Sequence, residues 1–271
     1  MRLIYNIEER GSSFIYHWFI YMIGGLRYIE SNELTSGNDG GGSFNQNLHL
    51  LPEVKKNSKY LITFQKNLEE FQKETLEIIG DKFEFVTPDE TDVVVNHYGE
   101  NRYEKGNLLK TYDYLLQLKS RVQINQEDIE KFSGKKIFLS RKNAHLLVGN
   151  NGLSRRQIFN ENELMEKLES YGINRINLED YSITEKIKIF SLADTIISPN
   201  SGGLVFSIYA GQNTKIIEIN VENPHQVSDQ YLDICRHLSI GYYKFISEKI
   251  DSYDNMIVNI ESFLQFYKKI K

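Results

Sequence analysis

The second half of the chain repeats one unit: a short β-branched run, then an amphipathic helix. Strands are predicted at 136–140 (KIFLS), 175–178, 195–198, 215–220 (KIIEIN) and 242–246. Helices are predicted between and after them at 161–171, 183–192, 204–210, 225–238 and 253–269. Strands separated by helix-length segments can pair in parallel only through crossovers, so this spacing demands an α/β sheet with helices on its faces. The first half alternates less regularly, with strands predicted at 1–7, 60–64, 83–86 and 93–96 and helices at 14–26, 68–79 and 108–122. The run 36–43 (SGNDGGGS) has too many glycines for a strand and reads as a surface loop. A polar stretch at 123–134 separates the halves. Two small doubly wound, Rossmann-like domains, 1–125 and 126–271, facing a central cleft, are the economical architecture for 271 residues.

Composition excludes several classes. Hydrophobic residues make up 40% and charged residues 25%, the balance of a folded globular chain. The formal charge of -5 argues against a nucleic-acid partner. The single cysteine, Cys235, forms no internal disulfide, and no Cys/His metal pattern or Asp-x-Asp motif is present. No metal and no cofactor are expected. The apolar run 14–26 is too short to span a bilayer and is preceded by Glu8, Glu9 and Arg10. With no Asn-x-Ser/Thr acceptor anywhere, a cytoplasmic setting is the expectation.

The richest chemistry lies where strand 195–198 passes through Pro199 into Asn200-Ser201-Gly202-Gly203. Two glycines let a ligand approach the backbone, and N–H groups at a helix start favour an anion. Ser140-Arg141 ends the first strand of the same half, and Arg155-Arg156 lies between strand and helix. In a doubly wound sheet these ends share one rim. Two arginines there suit a diphosphate, each charge-assisted hydrogen bond contributing about 1.5–3 kcal/mol.

Five blocks, in order, then resemble glycosyltransferase family 61. They are Ser140-Arg141; Arg156 through Asn160-Glu161 to Leu164; Leu178-Glu179 with Ser182; Glu185 through Phe190 to Ala193-Asp194; and the Gly202-Gly203-Leu204 loop. The resemblance covers about 135–220. It implies a GT-B-like fold with the nucleotide sugar in the C-terminal domain. It also implies inverting transfer from a UDP-sugar to a hydroxyl of a glycan or protein. Under it, Arg141 and Arg156 hold the diphosphate, with Ser140 and the 200–203 loop beside them. Asn160 and Glu161 open the following helix, Glu161 either capping it, pairing with an arginine or touching the donor. Glu179 lies where the nucleoside would be read. The family's loop reads His-Gly-Ala-Gly-Leu-Thr-Asn; here Asn200 stands at the His position and Val205-Phe206 at Thr-Asn.

Inverting transfer needs a base for the acceptor hydroxyl. His17 is the leading candidate and His97 the second, with Glu8, Glu9 and Asp92 also placed near predicted strand ends or the first helix. Three alternatives stay open. A non-catalytic sugar-nucleotide or glycan-binding relative is motivated by the altered loop. A Rossmann oxidoreductase lacks its GxGxxG. An interaction module predicts no nucleotide affinity. A homodimer is compatible with each.

Overall fold

The computed structural model describes residues 3–6, 18–23, 26, 60–63, 68–80, 82–88, 90–91, 93–96, 105–141, 155–222 and 229–270. Glu8, Glu9, His17, Asp92, His97 and the glycine-rich run 36–43 lie outside them. The chain is a mixed α/β protein with two compact units, which divide between Leu118 and Lys119.

The first unit carries strands β1 (Leu3–Asn6), β2 (Tyr60–Thr63), β3 (Phe83–Phe85) and β4 (Val93–Asn96). They pair in parallel in the order β3-β2-β1-β4. Helix α1 (Glu70–Ile79) buries Gln72, Thr75 and Ile79. Trp18 meets Phe71 edge-on, ring centroids 6.2 Å apart. Within the predicted 14–26 helix, Trp18–Ile23 is wound as a π-helix rather than an α-helix. Trp18, Phe19, Ile20 and Ile23 are all buried there. Helix α2 (Lys105–Lys119) closes this stretch.

The second unit opens with α3 (Gln126–Phe132), a helix inside the polar stretch where the sequence suggests only a turn. Its signal is a reciprocal cap: Asn125 Oδ1 accepts from the Asp128 N–H and Asp128 Oδ2 from the Asn125 N–H, each at 2.9 Å. Five parallel strands follow: β5 (Lys136–Leu139), β6 (Ile173–Ile176), β7 (Thr195–Pro199), β8 (Lys215–Val221) and β9 (Gly241–Lys249). Antiparallel β10 (Met256–Ile257) ends the sheet, whose order is β10-β9-β8-β7-β5-β6. The parallel part keeps the doubly wound order, which reverses between β5 and β7.

Alternation along the strands sorts the core. Phe138, Ile197, Ile217, Ile219 and Val221 face one layer with Leu164, Met165 and Leu168 of α4 (Glu161–Glu169) and Phe263 and Tyr267 of α7 (Ile260–Ile270). Between these helices in sequence lie α5 (Ile183–Leu192), a 3₁₀ helix (Gly202–Tyr209) and α6 (Gln230–Leu238). The two latter elements pack together, and the 3₁₀ helix also packs on α5.

Several bounds move from their predicted places. β6 ends at Ile176 and Asn177 leads into a 3₁₀ turn, Leu178–Asp180, so the strand lies earlier than predicted. Residues 202–209 wind as a 3₁₀ helix rather than an α-helix, with Leu204 through Tyr209 all buried. The closing helix begins at Ile260 rather than 253. Asp251 stops it from starting earlier: its carboxylate accepts from the N–H groups of Tyr253 and Asn255 and so stabilises a turn before β10. Among the described residues no helix is long and apolar enough to cross a membrane.

Candidate functional site

Strand β5 ends in Ser140-Arg141 and β7 runs through Pro199 into Asn200-Ser201. These are the carboxyl ends on either side of the order reversal, where open α/β sheets bind ligands.

Ser140 is buried and donates its hydroxyl to Glu161 Oε1 at 2.6 Å. Glu161 opens α4, where the helix N-terminus favours a carboxylate. Arg175 Nη1 lies 3.5 Å from the same oxygen and donates to Asn162 Oδ1 at 2.9 Å. Ser140, Glu161 and Arg175 thus tie the end of β5 to α4 and β6. Asn160 turns away from this rim. Its Nδ2 donates to the Val258 carbonyl at 2.8 Å and its Oδ1 accepts from the Val258 N–H at 3.0 Å. Both polar atoms of that amide hold the chain rather than face a ligand.

Arg141 donates through Nε to the Arg155 carbonyl at 3.2 Å, and its own carbonyl accepts from Gln157 Nε2 at 3.0 Å. Burial pushes its pKa down to about 10, and the charge of Arg156 acts in the same direction. Glu179 and Tyr231 act oppositely. The guanidinium stays cationic at neutral pH, beside a second cation. The described ion pairs include neither Arg141 nor Arg156. Among the described residues, two like charges thus lie within electrostatic reach of each other with no ion-paired carboxylate.

Arg156 has φ +55°, a left-handed conformation uncommon for a residue with a Cβ. Neighbouring bonds hold it. Its N–H donates to the Tyr253 carbonyl at 3.1 Å, and the Gln157 N–H to Asn255 Oδ1 at 2.9 Å. The Met256 N–H donates to the Gln157 carbonyl at 2.8 Å. Strain of this kind, about 1–3 kcal/mol, persists only where surrounding structure enforces it.

The loop after β7 is held from beneath. The Asn200 N–H donates to the Ile219 carbonyl at 2.9 Å, and Asn200 Nδ2 to Glu218 Oε1 at 2.7 Å. Tyr231 of α6 donates its hydroxyl to the Ser201 carbonyl at 2.7 Å. Ser198 Oγ and Ser201 Oγ are 3.2 Å apart. Gly202 and Gly203 open the 3₁₀ helix. A Cβ on Gly203 would stand 2.7 Å from Leu178 Cδ2, so this loop packs closely on the Leu178 side chain of the turn that carries Glu179. Glu179 itself is exposed.

The structure therefore joins Ser140 to Glu161 and sets Arg141 within electrostatic reach of Arg156 and Glu179, while Asn200, Ser201, Gly202 and Gly203 form one loop at the neighbouring strand end. Tyr231 links the two groups: burial and the Glu218 charge push its hydroxyl pKa up, while Arg156 and Arg141 pull it down. Sequence reasoning missed Tyr231, Glu218 and Tyr242. Tyr242 donates to Glu218 Oε2 at 2.5 Å and Asn220 Nδ2 to Glu218 Oε1 at 2.7 Å. Glu218 did leave a signal, a carboxylate at the centre of the apolar strand KIIEIN. Tyr231 left none, since nothing in its helix marks it apart from other buried aromatics. Among the described residues no cluster of three His, Cys, Asp or Glu could hold a metal ion.

No curated protein matches the chain. The family profile of Glycosyltransferase 61 matches residues 15–217, well over half of it. The match covers the β5 and β7 strand ends, both arginines and the glycine loop. A sugar donor and a sugar acceptor are accordingly its partners. The chain belongs to glycosyltransferase family 61 and is a glycosyltransferase.

Proposed function

We propose that this enzyme transfers a sugar from a UDP-sugar to a hydroxyl of a glycan or protein, with inversion and without a metal. The carrying observation is Arg141, just past the carboxyl end of β5 and within electrostatic reach of Arg156 and of Tyr231, whose hydroxyl holds the Ser201 carbonyl of the glycine loop. When the bond from anomeric carbon to diphosphate breaks, negative charge grows on the departing UDP. Two guanidiniums and the 3₁₀ helix N-terminus stabilise that charge, the task a metal performs elsewhere. The acceptor oxygen bonds to the anomeric carbon from the opposite face and a base takes its proton. His17 and His97 remain the candidates for that base. Glu179 reads the nucleoside from the turn after β6. A GT-B-type arrangement, with the donor in residues 126–271 and the acceptor side in residues 1–125, accommodates these roles.

The test is calorimetric titration with UDP, with and without EDTA, on the native chain and an Arg156→Ala variant. We expect micromolar binding that survives EDTA and weakens at least tenfold in the variant. Absence of UDP, GDP and CDP binding rules out the donor site. Loss of binding with EDTA rules out metal independence. Turnover of a UDP-sugar panel by His17→Ala and His97→Ala then separates the two base candidates.

A further inference from the structure

Asn200 is only 2% exposed, and Glu218 lies beneath it with the same low exposure. Glu218 accepts three hydrogen bonds, from Asn200 Nδ2 and Asn220 Nδ2 on Oε1 and from the Tyr242 hydroxyl on Oε2. A carboxylate accepting on both oxygens cannot donate. The Asn200 amide therefore has one permitted orientation, nitrogen toward Glu218 and oxygen away from it. Turning the amide over would set its oxygen against a carboxylate oxygen at 2.7 Å, two acceptors in contact. The hydrogen bonds of Asn200 among the described residues use its N–H and Nδ2, and none reaches Oδ1.

A locked acceptor oxygen at the carboxyl end of β7, one residue before the Ser201 carbonyl that Tyr231 holds, suits a particular kind of group. It repels a phosphate oxygen, and the Glu218 carboxylate behind it adds to that repulsion. It attracts an O–H. We infer that Asn200 is a specificity-determining residue that accepts a hydrogen bond from a hydroxyl of the bound sugar nucleotide, and that Glu218 is the positioning residue that fixes its amide. This inference rests on the donor-site reading above and divides labour within it: Arg141 and Arg156 hold the diphosphate, Asn200 reads a hydroxyl. The hydroxyl belongs either to the ribose or to the transferred sugar. Where the resemblance sets the 200–203 loop beside the diphosphate, the tertiary contact makes Asn200 a hydroxyl acceptor.

The experiment compares three probes on the native chain, Asn200→Ala and Glu218→Gln: inorganic pyrophosphate, UDP, and the best-binding member of a UDP-glucose, UDP-xylose and UDP-N-acetylglucosamine panel. Affinities come from calorimetry, and thermal unfolding of each variant checks its fold. The amide that Glu218→Gln introduces can face Asn200 with either end, so the orientation lock is lost while side-chain size is kept. The expected result is pyrophosphate affinity within twofold of native in both variants and a loss of about tenfold for a hydroxyl-bearing probe. Loss for the UDP-sugar alone assigns the transferred sugar; equal loss for UDP assigns the ribose. Equal loss for pyrophosphate overturns the inference, because Asn200 would then serve the phosphates or merely the loop. Unchanged affinity for all three probes in Asn200→Ala overturns it as well. If the native chain binds no probe, the donor-site reading fails first and distinguishably. Should Glu218→Gln not fold, Asn200→Ala alone decides the hydroxyl contact.

Discussion

Arg141 donates its Nε–H to the Arg155 carbonyl, which leaves the terminal guanidinium nitrogens as what it offers a ligand. A lysine has one nitrogen and cannot brace the chain and grip a diphosphate together. Arg141→Lys should therefore weaken UDP binding about tenfold or more, although charge is conserved, and calorimetry reads this directly. Equal affinity would mean that only charge matters there. Ser140 sets a different problem. Its hydroxyl is buried against the Glu161 carboxylate at 2.6 Å. Ser140→Ala removes a hydrogen bond to a charged group and should destabilise the protein by about 1.5–3 kcal/mol in urea unfolding. A change under about 0.5 kcal/mol would show that Arg175 alone satisfies Glu161.

At the scale of elements, some of the sequence blocks prove to be scaffolding. Ser182 and Glu185 cap α5 reciprocally: Ser182 Oγ accepts from the Glu185 N–H at 3.1 Å and Glu185 Oε2 from the Ser182 N–H at 3.0 Å. They fix the start of that helix. Helix α3 docks on α5 through Lys188 and Asp128, 2.8 Å apart. The Asn125 N–H, and then Lys188, hold the Asp128 carboxyl below its ordinary value of 3.8. A lowered carboxyl pKa contributes stability above the unfolded value and loses it as pH falls through the folded one. Asp128→Asn keeps an acceptor for Asn125 and loses the charge facing Lys188. Its urea midpoint should fall below the native one at pH 7, and the gap should narrow as pH drops below about 4. A gap that stays constant with pH would remove the electrostatic account.

For the molecule as a whole, ligand linkage tests which unit holds the donor. A ligand that binds only the folded form stabilises it by about 2.7 kcal/mol at a hundred times its Kd. Cys235 is a built-in reporter for the second unit: it is fully buried, and burial with the Glu218 charge pushes its thiol up to about 12. Such a thiol reacts with an aromatic disulfide only when its surroundings open. Saturating UDP should slow Cys235 labelling in mild denaturant by about the hundredfold that this stabilisation represents. Labelling at an unchanged rate would place the nucleotide elsewhere than the second unit.

Period and spacing alone made the fold class of the second unit legible. Apolar runs such as KIIEIN cannot bury both faces except in a sheet covered by helices, and helix-length connections force parallel pairing. Residue type alone singled out Arg141, Arg156 and the two glycines as candidates, because charge and a missing Cβ are local properties. What an individual polar side chain does is not local. Asn160 and Asn200 are the same residue, each at a strand or helix boundary, yet one clamps Val258 and the other is oriented by Glu218. Their partners lie far along the chain and meet them only once the sheet is assembled. Tyr231 reaches Ser201 for the same reason, thirty residues away in sequence and 2.7 Å away in space. Hydrogen bonds act over about 3 Å, and it is the packed sheet, not the order of residues, that brings donors within that distance of acceptors.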